Sequence, residues 1–288
     1  MAVLLASLAM MASVATAAAP PTSNTAPLAG MVENACPAPV ELSEVDRRAV
    51  QELIKPGPID PQVIAAYLNP AAAEARTKAE AEQRARDWPN LCKYRADNLA
   101  LQAAGTRPRV VFMGDSISEL WRTTDPALFQ GTFVNRGISG QTTTQMVARF
   151  YADVVSLHPQ IVHLLGSAND IAGNTGPTTF GDWKNNITAM VQLAQANGIT
   201  VVLGSLTPTN NLYWRPQPHT AQTVAMMNAW LRDYAAAHKI HFIDYYTPLA
   251  GPDGAFRHDL SNDGVHPNRA GYALMTPIMQ DALAKVRP

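Results

Sequence analysis

From Arg109 onward the chain alternates between short unbroken apolar runs and longer stretches in which apolar residues recur every three or four positions. The runs are Val110 to Met113, Thr132 to Val134, Ile161 to Leu165, Thr200 to Leu203 and Ile240 to Ile243. A run this short, without polar alternation, reads as a strand buried on both faces. The stretches Thr142 to Ser156, Phe180 to Ala196 and Ala221 to His238 read as helices, and Asn268 to Lys285 closes the series. Strands alternating with helices predict the α/β class, with a parallel sheet covered by helices on both sides. Ligands of such sheets bind beyond the C-terminal strand ends, so the polar, Gly-bearing segments that follow the strands are the place to look for chemistry.

The part before this region has a different character. Residues 42–105 read as a helical extension: Ser43 is a cap ahead of Glu44 and Asp46, Pro56, Pro58 and Pro61 break the first helix, and Pro61 suits the start of the next. Ala71 to Arg86 has high helix propensity, and Pro89 separates it from a partly apolar stretch that includes Leu91, Tyr94, Leu99 and Leu101. No chemistry is visible in it, so it either packs against the domain or presents a partner surface. Residues 20–41 are rich in Pro, Thr and Ala and read as a linker. Residues 1–19 form an Ala-, Leu- and Met-rich run followed by Pro20-Pro21, the pattern of a signal peptide, although no Lys or Arg precedes it. The expectation is export to the periplasm or beyond a bacterial cell, with no stable membrane insertion after cleavage.

Composition narrows the function classes. The 288 residues carry 22 Lys plus Arg against 23 Asp plus Glu, a net charge of -1, which argues against nucleic acid as a partner. Apolar residues make up 47%, enough for a sizeable core. Two cysteines are too few for a disulfide framework or a four-thiolate zinc site. In an oxidising compartment Cys36 and Cys92 would pair, and the alternative is two unrelated buried thiols. His158, His163, His219, His238, His241 and His258 have no ligand spacing with acidic or Cys partners, so neither a metal nor another cofactor is expected.

Four segments carry candidate chemistry. Gly114-Asp115-Ser116-Ile117 follows the first strand and puts a serine just past a tight turn; alone, such a serine reads as a helix cap. Asp263-Gly264-Val265-His266-Pro267 holds the one Asp-x-x-His spacing in the sequence, so a carboxylate can reach the imidazole, fix its tautomer and leave the other nitrogen to take a proton from serine. Gly137-Ile138-Ser139-Gly140 offers an unobstructed backbone N–H, and Ser167-Ala168-Asn169-Asp170 offers a carboxamide, both suited to stabilising an oxyanion. Asp115 and Asp170 read as loop-structuring. The segment Thr207 to His219 brings Trp214 and Arg215 to the same sheet edge, where they either line a substrate pocket or pack the loop. There is no Gly-x-Ser-x-Gly elbow, no Ser-x-x-Lys, no phosphate-binding Gly-rich loop and no His-Glu-x-x-His.

These four blocks, in this order, resemble the SGNH or GDSL-type hydrolases, and the resemblance spans about residues 106–288, closest to exported bacterial acylhydrolases and lysophospholipase-like esterases. It implies a flavodoxin-like α/β/α sandwich on a five-stranded parallel sheet, cleavage of carboxylic esters and no cofactor. Carried over by position, Ser116 is the nucleophile, His266 the base and Asp263 its partner. Ser116 and Gly140, through backbone N–H groups, and Asn169, through its side chain, form the oxyanion hole. One position departs from the pattern: Ser167 stands where the family has Gly two residues before the Asn, which bears on the geometry of that loop. The expected partner is a small-molecule or carbohydrate ester. Two rival readings are a carbohydrate O-acetylesterase using the same residues and a non-catalytic wall- or glycan-binding domain.

Overall fold

The computed structural model describes residues 42–286 together with Val32, Ala35 and Cys36. The expected signal peptide over 1–19 lies outside the described residues, as does most of the expected linker over 20–41. Among the described residues four helices precede the sheet: α1 (Glu44–Ile54), α2 (Pro61–Tyr67), α3 (Pro70–Arg86) and α4 (Arg95–Ala103). Ser43 caps α1 by accepting from the Asp46 N–H at 3.1 Å, and Pro61 and Pro70 occupy first-turn positions of α2 and α3, where the missing N–H is harmless. This region docks at both ends. Ile54, at the end of α1, is fully buried, and three α1-terminal carbonyls, those of Glu52, Leu53 and Lys55, accept from Asn262. By contrast α3 buries no residue.

The sheet then builds as β1 (Val110–Gly114), α5 (Ser116–Thr124), β2 (Phe133–Gly137), α6 (Thr143–Asp153), β3 (Ile161–Leu165), a single turn α7 (Ala168–Ile171), α8 (Phe180–Ala196), β4 (Thr200–Gly204), α9 (Thr220–His238), β5 (His241–Ile243), a single turn α10 (Tyr246–Leu249) and α11 (Arg269–Lys285). All five strands are parallel, in the order β2-β1-β3-β4-β5. That is the doubly wound order, whose direction of winding reverses beside β1. Side chains alternate across the sheet. Val111, Met113, Val162, Leu164, Val201 and Leu203 pack with α6, α8 and α9, whereas Val110, Phe112, Ile161, Leu165 and Val202 pack with α1, α5 and α11. Three layers result, helices on both faces of a sheet whose central strands β1 and β3 are fully buried. Each strand expected from the apolar runs is present; β1, β4 and β5 shift by one residue at an end, and β2 changes most, starting at Phe133 and continuing through Asn135, Arg136 and Gly137, which the sequence reading treats as its terminus. Arg136, which this brings inside, and Arg149 of α6 are both buried and held by polar partners. Arg149 donates to the Gly114 and Arg136 carbonyls and pairs with buried Asp153 at 2.8 Å. Among the described residues no helix is long and apolar enough to cross a membrane. Neither cysteine is a free thiol, and both are disulfide-bonded.

Candidate active site

β1 ends at Gly114 and α5 begins at Ser116, so a single residue, Asp115, turns the chain. The turn is tight because Gly114 has no side chain: a Cβ there would sit 2.1 Å from the Leu165 carbonyl oxygen and 2.2 Å from Ser118 Oγ. Asp115 caps α5, accepting from the Ile117 N–H at 3.0 Å, and reaches across to the loop after β3, where the Ser167 N–H donates to it at 3.3 Å. Burial is the main reason its carboxyl is pushed up to about 6, held back by these N–H donors and by the positive charge that His266 can carry. Ser116 is thereby presented at the C-terminal edge of the sheet, half-buried.

The segment before α11 delivers the imidazole. His266 Nε2 lies 2.9 Å from Ser116 Oγ, and His266 Nδ1 lies 2.7 Å from Asp263 Oδ2. The other carboxylate oxygen accepts from the Val265 and His266 N–H groups at 2.9 and 2.8 Å, so the turn that carries both residues also fixes the carboxylate. Asn268 then caps α11 by accepting from Ala270 and Gly271. Burial alone would push the His266 imidazole down, but the charge and hydrogen bond of Asp263 outweigh it and hold the pKa above the ordinary value of 6.5. For Asp263 burial acts upward, and the His266 charge with three hydrogen bonds from His266 and Val265 holds it below 3.8. With Nδ1–H donating to the carboxylate, Nε2 is left as an acceptor facing the serine hydroxyl.

The loops after β2 and β3 meet beside this chain of contacts. Gly140 has φ +78°, a conformation open to glycine. Asn169 donates from Nδ2 to the Gln141 carbonyl at 3.1 Å, with Asp115 Oδ2 at 3.5 Å. Its Oδ1 accepts from Asn174 Nδ2 at 2.8 Å, which fixes the orientation of the amide. Asn174 Nδ2 also reaches the Gly140 carbonyl at 3.0 Å, and its Oδ1 accepts from Trp214 Nε1 at 3.0 Å. One side chain thus ties Gly140, Asn169 and the loop after β4 together. Arg215 lies next to it and donates to the Gly173 carbonyl at 2.6 Å. Asp170 accepts from the Thr143 N–H and hydroxyl; burial pushes it up to about 6, opposed by those donors and reinforced by the nearby Asp115. A hydroxyl, an imidazole and a carboxylate in hydrogen-bonded series, beside a glycine loop and an oriented amide, can perform acyl transfer.

Comparison with known proteins agrees. The model of the GDSL-like lipase/acylhydrolase family matches residues 112–274, which includes Ser116, Gly140, Asn169, Asp263 and His266. The chain belongs to that family. A Bacteroides fragilis structure described as an acylhydrolase is 39% identical, with a TM-score of 0.66, covering 69% of this chain and 98% of its own. A GDSL-like lipase structure from Bacteroides thetaiotaomicron is 37% identical, with the same TM-score of 0.66, covering 69% of this chain and 99% of its own. No curated protein sequence matches the chain.

Against this GDSL background the serine at position 167 has a structural explanation. Ser167 has φ +120° and ψ -10°, a backbone conformation that suits glycine and that the serine adopts despite its side chain. Its hydroxyl accepts from the buried Trp183 Nε1 at 2.9 Å. Two residues that the sequence reading passed over, Gln141 and Asn174, hold the loops in place. Gln141 follows directly on the second block and Asn174 lies five residues past Asn169, positions where Gln and Asn in a polar loop carry no distinguishing signal.

Proposed function

We propose that the protein is a serine esterase that cleaves carboxylic esters through an acyl-enzyme. The single observation that carries this reading is the unbroken series of short contacts from Asp263 Oδ2 through His266 to Ser116 Oγ, at 2.7 and 2.9 Å. Family membership supports the general activity. Ser116 Oγ attacks the ester carbonyl carbon while His266 Nε2 takes its proton, and the resulting imidazolium is stabilised by Asp263. The oxyanion is received by the N–H groups of Ser116 and Gly140 and by Asn169 Nδ2, whose contact with Asp115 at 3.5 Å is weak enough to give way. His266 then protonates the leaving alcohol. Water, activated by the same imidazole, adds to the acyl carbon, and collapse releases the carboxylic acid and restores the serine.

Export is part of the proposal, supported by the apolar run over 1–19 and by the disulfide-bonded state of both cysteines, since such bonds persist in oxidising compartments. The test is hydrolysis of p-nitrophenyl esters from acetate to palmitate by the wild type and by Ser116→Ala. Activity in the wild type that disappears in the variant supports the serine esterase, and the acyl-length profile separates an acetyl-restricted site from a lipid-type one. Equal turnover by both proteins would overturn it.

A further inference from the structure

We propose that residues 87–98, which lie before the sheet and outside the stretch 112–274 matched by the family, are a positioning element for the oxyanion loop between β2 and α6. The inference rests on the oxyanion role proposed for Gly140. That loop needs external support: Gly140 has a positive φ and no side chain, and even a Cβ built on it would meet only Asn174 Nδ2, at 3.9 Å. The direction of its N–H is therefore set by what holds its neighbours.

Those neighbours are held from residues 87–98. The Tyr94 hydroxyl donates to the Gly137 carbonyl. Lys93 pairs with Glu119, whose second oxygen accepts both the N–H and the hydroxyl of Ser139 at 2.7 Å. The Pro89 carbonyl accepts from Gln141 Nε2 at 2.7 Å, and the Trp88 carbonyl accepts from Gln145 Nε2 at 2.7 Å. Below the loop, Asp97 and Asn98 engage Arg136 at 2.7 and 2.8 Å. The contacts flank Gly140 on both sides, and the Gln141 carbonyl is the acceptor that orients Asn169. Asn98 also anchors the segment to the end of α6 through the Ala152 carbonyl and Asp153, but the contacts of Trp88, Pro89, Lys93 and Tyr94 gather on the loop and its two flanks, the part that must be rigid for charge stabilisation without reorganisation. None of these residues touches the reacting atoms, so they act by position alone.

The test uses the full chain carrying Tyr94→Phe and Lys93→Met together, with Gln102→Ala as a control that removes a contact of α4 to the Ser156 carbonyl away from the loop. The expected result for the double variant is a fall in kcat of roughly 10- to 100-fold, with KM within about twofold of wild type. Affinity for a trifluoromethyl ketone, whose tetrahedral adduct places an oxyanion in the site, should fall in proportion, and Gln102→Ala should match the wild type. Amide hydrogen exchange of residues 137–142 supplies a readout independent of activity and should speed up in the double variant alone. Unchanged exchange, or a kcat loss that Gln102→Ala shares, overturns the positioning role. Faster exchange in the double variant of a chain whose wild type cleaves no ester would keep the clamp and overturn the esterase reading alone.

Discussion

Ser167 is a place where a local conflict can be measured. At φ +120° and ψ -10° a side chain is strained by about 1–3 kcal/mol relative to glycine. In return its hydroxyl satisfies the Trp183 indole N–H, and leaving that buried donor without a partner costs about 1–3 kcal/mol. Ser167→Ala keeps the strain and loses the hydrogen bond, so it should destabilise by about 1–3 kcal/mol, a fall in Tm of roughly 2–12 °C for a domain of this size. Ser167→Gly loses the same bond but releases the strain, less the greater freedom of glycine in the unfolded chain of about 0.4–1 kcal/mol. The glycine variant should therefore lie above the alanine variant and close to wild type. Urea unfolding followed by tryptophan fluorescence, with linear extrapolation, gives the two differences directly. An alanine variant as stable as the glycine variant would refute the claim of backbone strain, and a glycine variant about 2 kcal/mol above wild type would refute a stabilising role for the hydroxyl.

Other expectations concern charge and position. Because His266 must be unprotonated to act and its pKa is held above 6.5, kcat/KM should rise with pH along a limb centred above 6.5; Asp263→Asn removes the group that raises it, leaves burial, and should move that limb to lower pH while lowering kcat by about 10⁴-fold. A limb that stays in place in a pH–rate profile would contradict the assignment. For stability the same pair works in two directions: the raised His266 contributes below 6.5 and loses its contribution as pH rises through its folded value, whereas the lowered Asp263 contributes above 3.8 and loses it as pH falls. Asn174→Ala frees Gly140 and Asn169 together and should lower kcat by at least about 10-fold with little change in KM, measured on a short-chain ester. Arg149→Met leaves Asp153 as an unpaired buried charge and should cost about 3–5 kcal/mol in denaturant unfolding; because Arg149 also holds the Gln141 side chain and the Gly114 carbonyl, kcat of the molecules that remain folded should fall as well.

The sheet was legible because each strand contains a short, mainly apolar run: Ile161–Leu165, apolar but for His163, agrees with the reading residue for residue, as does the helix Phe180–Ala196. β2 extends beyond its apolar run because Asn135 and Arg136, which look like a terminus, are buried by contacts to Ser118 and Asn98, in segments distant in sequence. The strand order was not legible, since apolar runs do not say which strand lies beside which. Ser116, His266 and Asp263 could be found because their roles require particular residue types at a short spacing or a strand end. Gln141 and Asn174 could not, because an amide in a polar loop looks the same whether it orients a neighbour or faces water. The support given to the Gly140 loop by residues 87–98 was equally hidden, as two of its contacts are made by the Trp88 and Pro89 main-chain carbonyls, which any residue would supply.

The central claim is that Ser116 is activated by His266 and attacks acyl carbon. Its most direct measurement is covalent capture: the intact protein treated with a fluorophosphonate, followed by peptide mass analysis. The account predicts one adduct on the peptide containing Ser116, formed rapidly in the wild type, slowly in His266→Ala and not at all in Ser116→Ala. Labelling at another serine, or labelling of Ser116 that proceeds equally well without His266, would contradict it.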